Sequence, residues 1–119
     1  MRNREPSERV TAVVDERDNW SCVRCGVSLY ATGGSRHHRQ LRSQQPNPRL
    51  LNRPSNLILL CGSGSTGCHG WVHAHPAEAY ELGWLVHGWD DPSLVPVRYR
   101  IGDRFHMLLL DDEGGKEEA

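Results

Sequence analysis

Apolar residues fall along this chain in short bursts, and the spacing inside each burst predicts an element. From Glu8 to Asn19 they stand at Val10, Val13 and Val14, the i, i+3, i+4 spacing of one helical face. Ser7, three residues before Val10, is placed to cap that helix. A Gly-Gly turn over 32–35 precedes a short strand over Arg36 to Leu41, and the Pro/Asn-rich stretch 42–55 reads as a loop. Leu57 to Leu60 is a short apolar run ending at Cys61. A helix is expected from His69 to about Glu81, interrupted by Pro76, which would open a second piece over Ala77–Leu82 capped by Gly83. Trp84–Val86 and Val95–Val97 look like short strands, and Tyr99–Ile101 with Phe105–Leu110 like a last hairpin. The polar ends, 1–7 and 111–119, are expected to be disordered. The pattern is that of one α+β domain over 1–119 with no internal repeat.

Composition changes this picture in one respect. Leu, Ile, Val and Phe together number only 25 of 119 residues, close to the level at which a chain struggles to fold on burial alone. Small folds with thin cores need a staple, either disulfides or a structural metal. The four cysteines can supply either. The N-terminus is polar with no signal-peptide run, and no window approaches the ~20 apolar residues of a membrane span. Both features predict a cytoplasmic protein, where thiols stay reduced and paired cysteines read as metal ligands rather than bridges.

The net charge of −1 averages over unlike blocks. Between Asn19 and Ala77 there is no Asp or Glu, although the chain has 15, and there are six arginines. All four cysteines and five of the seven histidines lie in this carboxylate-free stretch. Such electrostatics suit a site that handles phosphate. Arg36, Arg39, Arg42, Arg49 and Arg53 are the candidates for DNA-phosphate contacts.

Cys22-Val-Arg-Cys25-Gly26 has the shape of a zinc knuckle, in which the glycine lets the backbone turn about the ion. Cys61 and Cys68, separated by a six-residue Gly/Ser/Thr loop, form the second pair of a four-thiolate zinc site. Four unrelated buried thiols are the plainer alternative. His69 and His73 stand at i, i+4 on one helical face, close enough to share a cation. Adjacent strand residues point to opposite sides, so one of His37 and His38 can join that cation while the other handles a proton. Trp71, between the helical histidines, reads as core, and His75 as a surface residue.

The ordered set Cys-x-x-Cys-Gly, His37-His38, Asn56-Leu-Ile-Leu-Leu-Cys61, and Cys68-His69 with His73 resembles the HNH endonucleases of phage type, with a four-cysteine zinc site. The resemblance spans roughly Asp18 to Tyr80 and implies a ββα-metal core over about 18–82, flanked here by an N-terminal helix and C-terminal strands. It implies His38 as general base, and Asn56 as the residue that ties the loop between two strands and so orients that base. It implies His37, His69 and His73 as ligands of a catalytic divalent ion (Mg²⁺, Mn²⁺, Ni²⁺ or Zn²⁺), with structural Zn²⁺ on Cys22, Cys25, Cys61 and Cys68. Its substrate would be DNA, and its phage relatives add terminase subunits as partners. The competing expectation is a non-catalytic zinc-ribbon module that binds nucleic acid or protein. A hydrolase with a thiolate nucleophile is a third reading, disfavoured because every cysteine already has a pair.

Overall fold

The computed structural model describes residues 5–119. Helix α1 (Glu8–Arg17) starts where Ser7 accepts a hydrogen bond from the Val10 N–H, and it buries Val14 against the core. Strand β1 (Gly34–His38) pairs antiparallel with β2 (Leu57–Cys61), with Arg36 opposite Leu59 and His37 opposite Ile58. Helices α3 (Gly67–Ala74) and α4 (Pro76–Glu81) follow, joined at His75, with Pro76 at the first position of α4. A second sheet holds β3 (Val97–Ile101), β4 (Arg104–Leu110) and β5 (Lys116–Glu118) in that order, all antiparallel. The fold is α+β. Among the described residues no helix is long and apolar enough to cross a membrane.

Strand β2 is buried from Leu57 to Leu60 because it lies at the centre. Val14 and Val72 join it in one cluster, with Trp84, Tyr99 and Leu110. Two charged groups sit inside this core and tie its layers. Arg17 donates to both carboxylate oxygens of Asp18 and to the carbonyls of Pro54 and Leu57. Asp18 also accepts from the Tyr99 hydroxyl and the Leu59 N–H, so α1, β2 and β3 meet at one satisfied ion pair.

Several expectations differ from the structure. The loop 42–55 contains a short helix, α2 (Pro48–Leu51), capped by the Asn47 side chain on the Arg49 N–H. Trp84–Val86 is not a strand. The Trp84 and Leu85 N–H groups both go to the Ala79 carbonyl, and Val86 N–H to the Arg39 carbonyl. Its backbone groups are spread over unlike partners, so no ladder forms. Gly83 allows the turn before it at φ +79, where a Cβ would lie 2.0 Å from the Pro96 carbonyl oxygen.

The acidic tail is ordered rather than loose. Asp111 accepts from the N–H groups of Glu113 and Gly115, which folds the chain back so that β5 pairs with β4. Lys116 then donates to the Arg17 carbonyl at 2.7 Å and anchors the strand to α1. Of the expected disorder at 1–7, residues 1–4 lie outside the described residues, while Ser7 caps α1 and Glu5 pairs with Arg42.

Candidate metal centres

Two clusters stand out among the described residues: Cys22, Cys25, Cys61 and Cys68, and His37, His69 and His73. In each, the ligand atoms lie within 4.8 Å of one another. Tetrahedral thiolates bonded at ~2.3 Å sit ~3.8 Å apart, and Cys25 Sγ lies 3.9 Å from Cys61 Sγ. That separation is far too long for a disulfide and suits a shared cation. The Gly/Ser/Thr loop between Cys61 and Cys68 closes through paired backbone bonds between Ser63 and Thr66. Gly62 there runs at φ +84, with Thr66 O 2.2 Å from where a Cβ would stand. The loop returns the Cys68 N–H to the Cys61 sulfur at 3.3 Å. Burial raises the Cys22 thiol well above its ordinary pKa. A cation on the cluster would supply the charge that burial denies the thiolate.

The imidazoles are oriented one by one. His37 is buried on β1 and donates Nε2–H to the Trp84 carbonyl at 2.7 Å, which leaves Nδ1 with its lone pair. The Ser35 hydroxyl lies 2.6 Å from His69 Nδ1 and 3.2 Å from the Gly62 carbonyl; with its proton on that carbonyl it accepts from Nδ1–H, and either way it engages Nδ1 and leaves Nε2 toward the other rings. The three rings pack with centroids 5.0 to 5.5 Å apart. Burial pushes the His37 pKa down to about 3, with the neighbouring histidines adding to the fall. His69 is lowered by burial and by His73 and His38. Three ring nitrogens within 4.8 Å of one another, two of them on rings that burial keeps from protonating, fit a cation.

His38 follows His37 on the strand and lines the same cleft, a space of about 180 Å³ shared with Arg36, Arg42, His69 and His73. Its Nε2–H points at Asn52 Oδ1 at 2.8 Å, which leaves Nδ1 able to accept a proton. Burial lowers its pKa, and the nearby Arg42 charge adds to the fall, so the ring is neutral at pH 7. Asn56 is fully buried at the foot of β2. Its Oδ1 accepts from the Gln40 N–H, and its Nδ2 donates to the carbonyls of Gln40 and Leu51. This closes the crossing from β1 to β2 and fixes the end of the strand that carries His38.

No family model, curated protein or solved structure matches the chain.

The five arginines separate. Arg36 and Arg42 border the cleft, but Arg36 is held by Asp15 in a two-point ion pair and Arg42 by Glu5. Arg53 pairs with Asp91 and Asp112, and with Arg49 it lines a separate groove near Pro48 and Pro54. Arg39 cannot touch DNA. It is fully buried and donates to the carbonyls of Gly83, Ser55, Pro92 and Val95, where backbone dipoles replace water around its charge. Sequence spacing put it beside His38 but carried no sign that the chain turns inward after the strand. Three orienting groups were also not foreseen: Ser35 for His69, the Trp84 carbonyl for His37 and Asn52 for His38. Only Asn52 had a local hint, its place in the polar stretch after β1.

Proposed function

We propose that the protein is a metal-dependent DNA endonuclease of HNH type that hydrolyses phosphodiester bonds. The observation that carries this reading is the pairing, in one cleft, of three imidazoles whose ring nitrogens lie within 4.8 Å of one another and a fourth whose Nδ1 is free. A structural ligand set alone has no use for His38. Four cysteine sulfurs within 4.8 Å of one another, with Cys25 and Cys61 3.9 Å apart, would take zinc as the structural ion. A divalent ion on His37, His69 and His73 supplies Lewis-acid stabilisation of charge developing on phosphate oxygens. With three neutral ligands, the full charge of that ion is available to the substrate.

The chain's own groups do the rest. His38 Nδ1 takes a proton from the attacking water while Asn52 holds the opposite ring nitrogen, so the accepting lone pair keeps its aim. Arg36 and Arg42 flank the cleft and offer guanidiniums to phosphate once their carboxylate partners are exchanged for it. The exposed single-contact pair of Arg42 with Glu5 is worth ~1 kcal/mol or less, so its exchange is easily driven, whereas the two-point Arg36–Asp15 pair is the costlier one to open. On the strength of the phage resemblance alone, we propose terminase subunits as partners of this cleavage in genome packaging.

Digestion of supercoiled plasmid, with divalent metals supplied singly to protein freed of loosely held ions, tests the reading. Conversion to nicked or linear plasmid is expected only when a divalent ion is returned. Plasmid left supercoiled with every one of Mg²⁺, Mn²⁺, Ni²⁺ and Zn²⁺ would overturn it.

A further inference from the structure

The arginines chosen from sequence are mostly spoken for, one by the core and three by carboxylates. A different set is not. Arg24, Arg98 and Arg100 alternate with two aromatic rings in a row that runs Arg24, Trp84, Arg98, Phe105, Arg100. Arg24 and Arg98 each hold their guanidinium carbon 5.4 Å from the centre of the Trp84 ring. Arg98 also lies 4.2 Å from the centre of Phe105, and Arg100 5.2 Å from it. Residues 98 and 100 are alternate positions of β3, so both project from one face. Phe105 and Met107 stand opposite them on β4 and share that face. Phe105 is 52% exposed and Met107 38% exposed, so the face is open to solvent.

We infer that this row is a docking face for the phosphate backbone of duplex DNA; the inference rests on the nuclease reading and extends it to the substrate's flanking phosphates. Three features argue for phosphate. The first is charge: among the described residues, no ion pair involves Arg24, Arg98 or Arg100. Glu117, opposite Leu109 on β5, is the carboxylate nearest in register on that face, and it pairs with none of them. The second is order. A guanidinium laid near an aromatic ring keeps its planar fork in place, so little freedom is lost when it meets an oxyanion. The third is unspent donors. The Arg98 guanidinium makes no hydrogen bond, its Nε being buried, so only its terminal N–H groups can serve a phosphate, and the Arg100 guanidinium makes one bond, to the Gly102 carbonyl.

The row is joined to the cleft through α3. Arg24 lies 3.7 Å from the centre of Trp71, two residues from both His69 and His73, and donates to the Cys68 sulfur at 3.3 Å. Arg100 packs its side chain against Gly26, directly after the first cysteine pair, where Arg100 Cγ is 2.9 Å from an ideal Cβ. The four-cysteine cluster therefore positions this cationic face as well as closing the fold. The bland alternative is that the rings and arginines merely staple the C-terminal sheet to the core. The two accounts differ in what salt does.

The test measures binding of a labelled duplex of about 20 base pairs by fluorescence anisotropy from about 50 to 200 mM salt. The parent protein carries His38→Ala, so that cleavage does not intrude. Each lost phosphate contact lowers the slope of log K against log salt by ~0.9. Arg98→Gln/Arg100→Gln is expected to lower the slope by about 2 and weaken binding at least tenfold at the low-salt end. Arg98→Lys/Arg100→Lys, which keeps the charge, is expected to restore the slope. If the double Gln variant melts early, the single Arg100→Gln variant is read instead, with a slope change of about 1. An unchanged slope in the Gln variants, a Lys variant as impaired as Gln, or no binding by the parent would overturn the inference. Slope loss in a protein whose wild type leaves plasmid uncut would keep the face and sink the nuclease.

Discussion

The Cys22→Ser protein is expected to lack a cooperative melting transition and to aggregate on purification, because two of the four cysteines, Cys22 and Cys68, are part of the core. Cys22 is 1% exposed, and both it and Cys68 belong to the central hydrophobic cluster with β2 and Trp84. Around it the fold is thin: the buried apolar side chains come from short elements, and the first cysteine pair connects to β2 through the Val23 N–H on the Leu59 carbonyl and to β3 through the Arg100 N–H on the Val23 carbonyl. Structural zinc contributes roughly 10–16 kcal/mol in small zinc-dependent folds. The total stability of a domain is about 5–15 kcal/mol. The metal contribution is thus as large as the whole stability, and weakening it by one of four ligands cuts into a margin the thin core does not replace. Circular dichroism on heating, with zinc content measured on the same sample, checks it. A Cys22→Ser protein that melts like wild type would show the thiols to be incidental.

The His38→Ala protein should differ in kind. It is expected to keep its melting temperature and its metal content and to lose cleavage by about 10²- to 10⁴-fold, the usual contribution of a positioned general base. His38 is half-buried at the mouth of the cleft and shares one side-chain hydrogen bond, with Asn52, so little packing goes with it. The pH dependence carries a sign. Burial and Arg42 lower its pKa below 6.5, so the accepting form is already complete at neutral pH. Loss of activity through this group therefore sets in on the acid side, below pH 6.5, and not on the alkaline side. Plasmid digestion by variant and wild type at matched metal concentration measures the loss. Equal rates would remove His38 from the chemistry.

What was legible in the sequence was local. Ser7 and the three valines of α1, the Cys-x-x-Cys-Gly turn, the helical spacing of His69 and His73, and the C-terminal hairpin each need only a few neighbouring residues to be read. Asn47-Pro48 was readable too, as a capping residue followed by proline at the first helical position, yet the surrounding prolines made the stretch look like loop. The unread parts depend on distant partners. Trp84–Val86 is alternating enough for a strand, but its backbone is claimed by Ala79, Arg39 and the His37 ring. The acidic tail looked too charged to order, yet Lys116 reaches across to the Arg17 carbonyl and Asp112 accepts from the Ser55 N–H. A stretch without carboxylates suggested open cations, whereas Asp15, Glu5, Asp91 and Asp112 fold back onto them from outside it. Charge counted along a chain misses neutralisation in space.

For the cleft to act on phosphate, His37, His69 and His73 must hold one ion of their own, apart from the cysteines. Native mass spectrometry of the zinc-loaded protein counts ions per chain. Two are predicted for the wild type and one for His73→Ala, with the melting temperature of the variant preserved by the cysteine-held ion. A single ion in both proteins would contradict it.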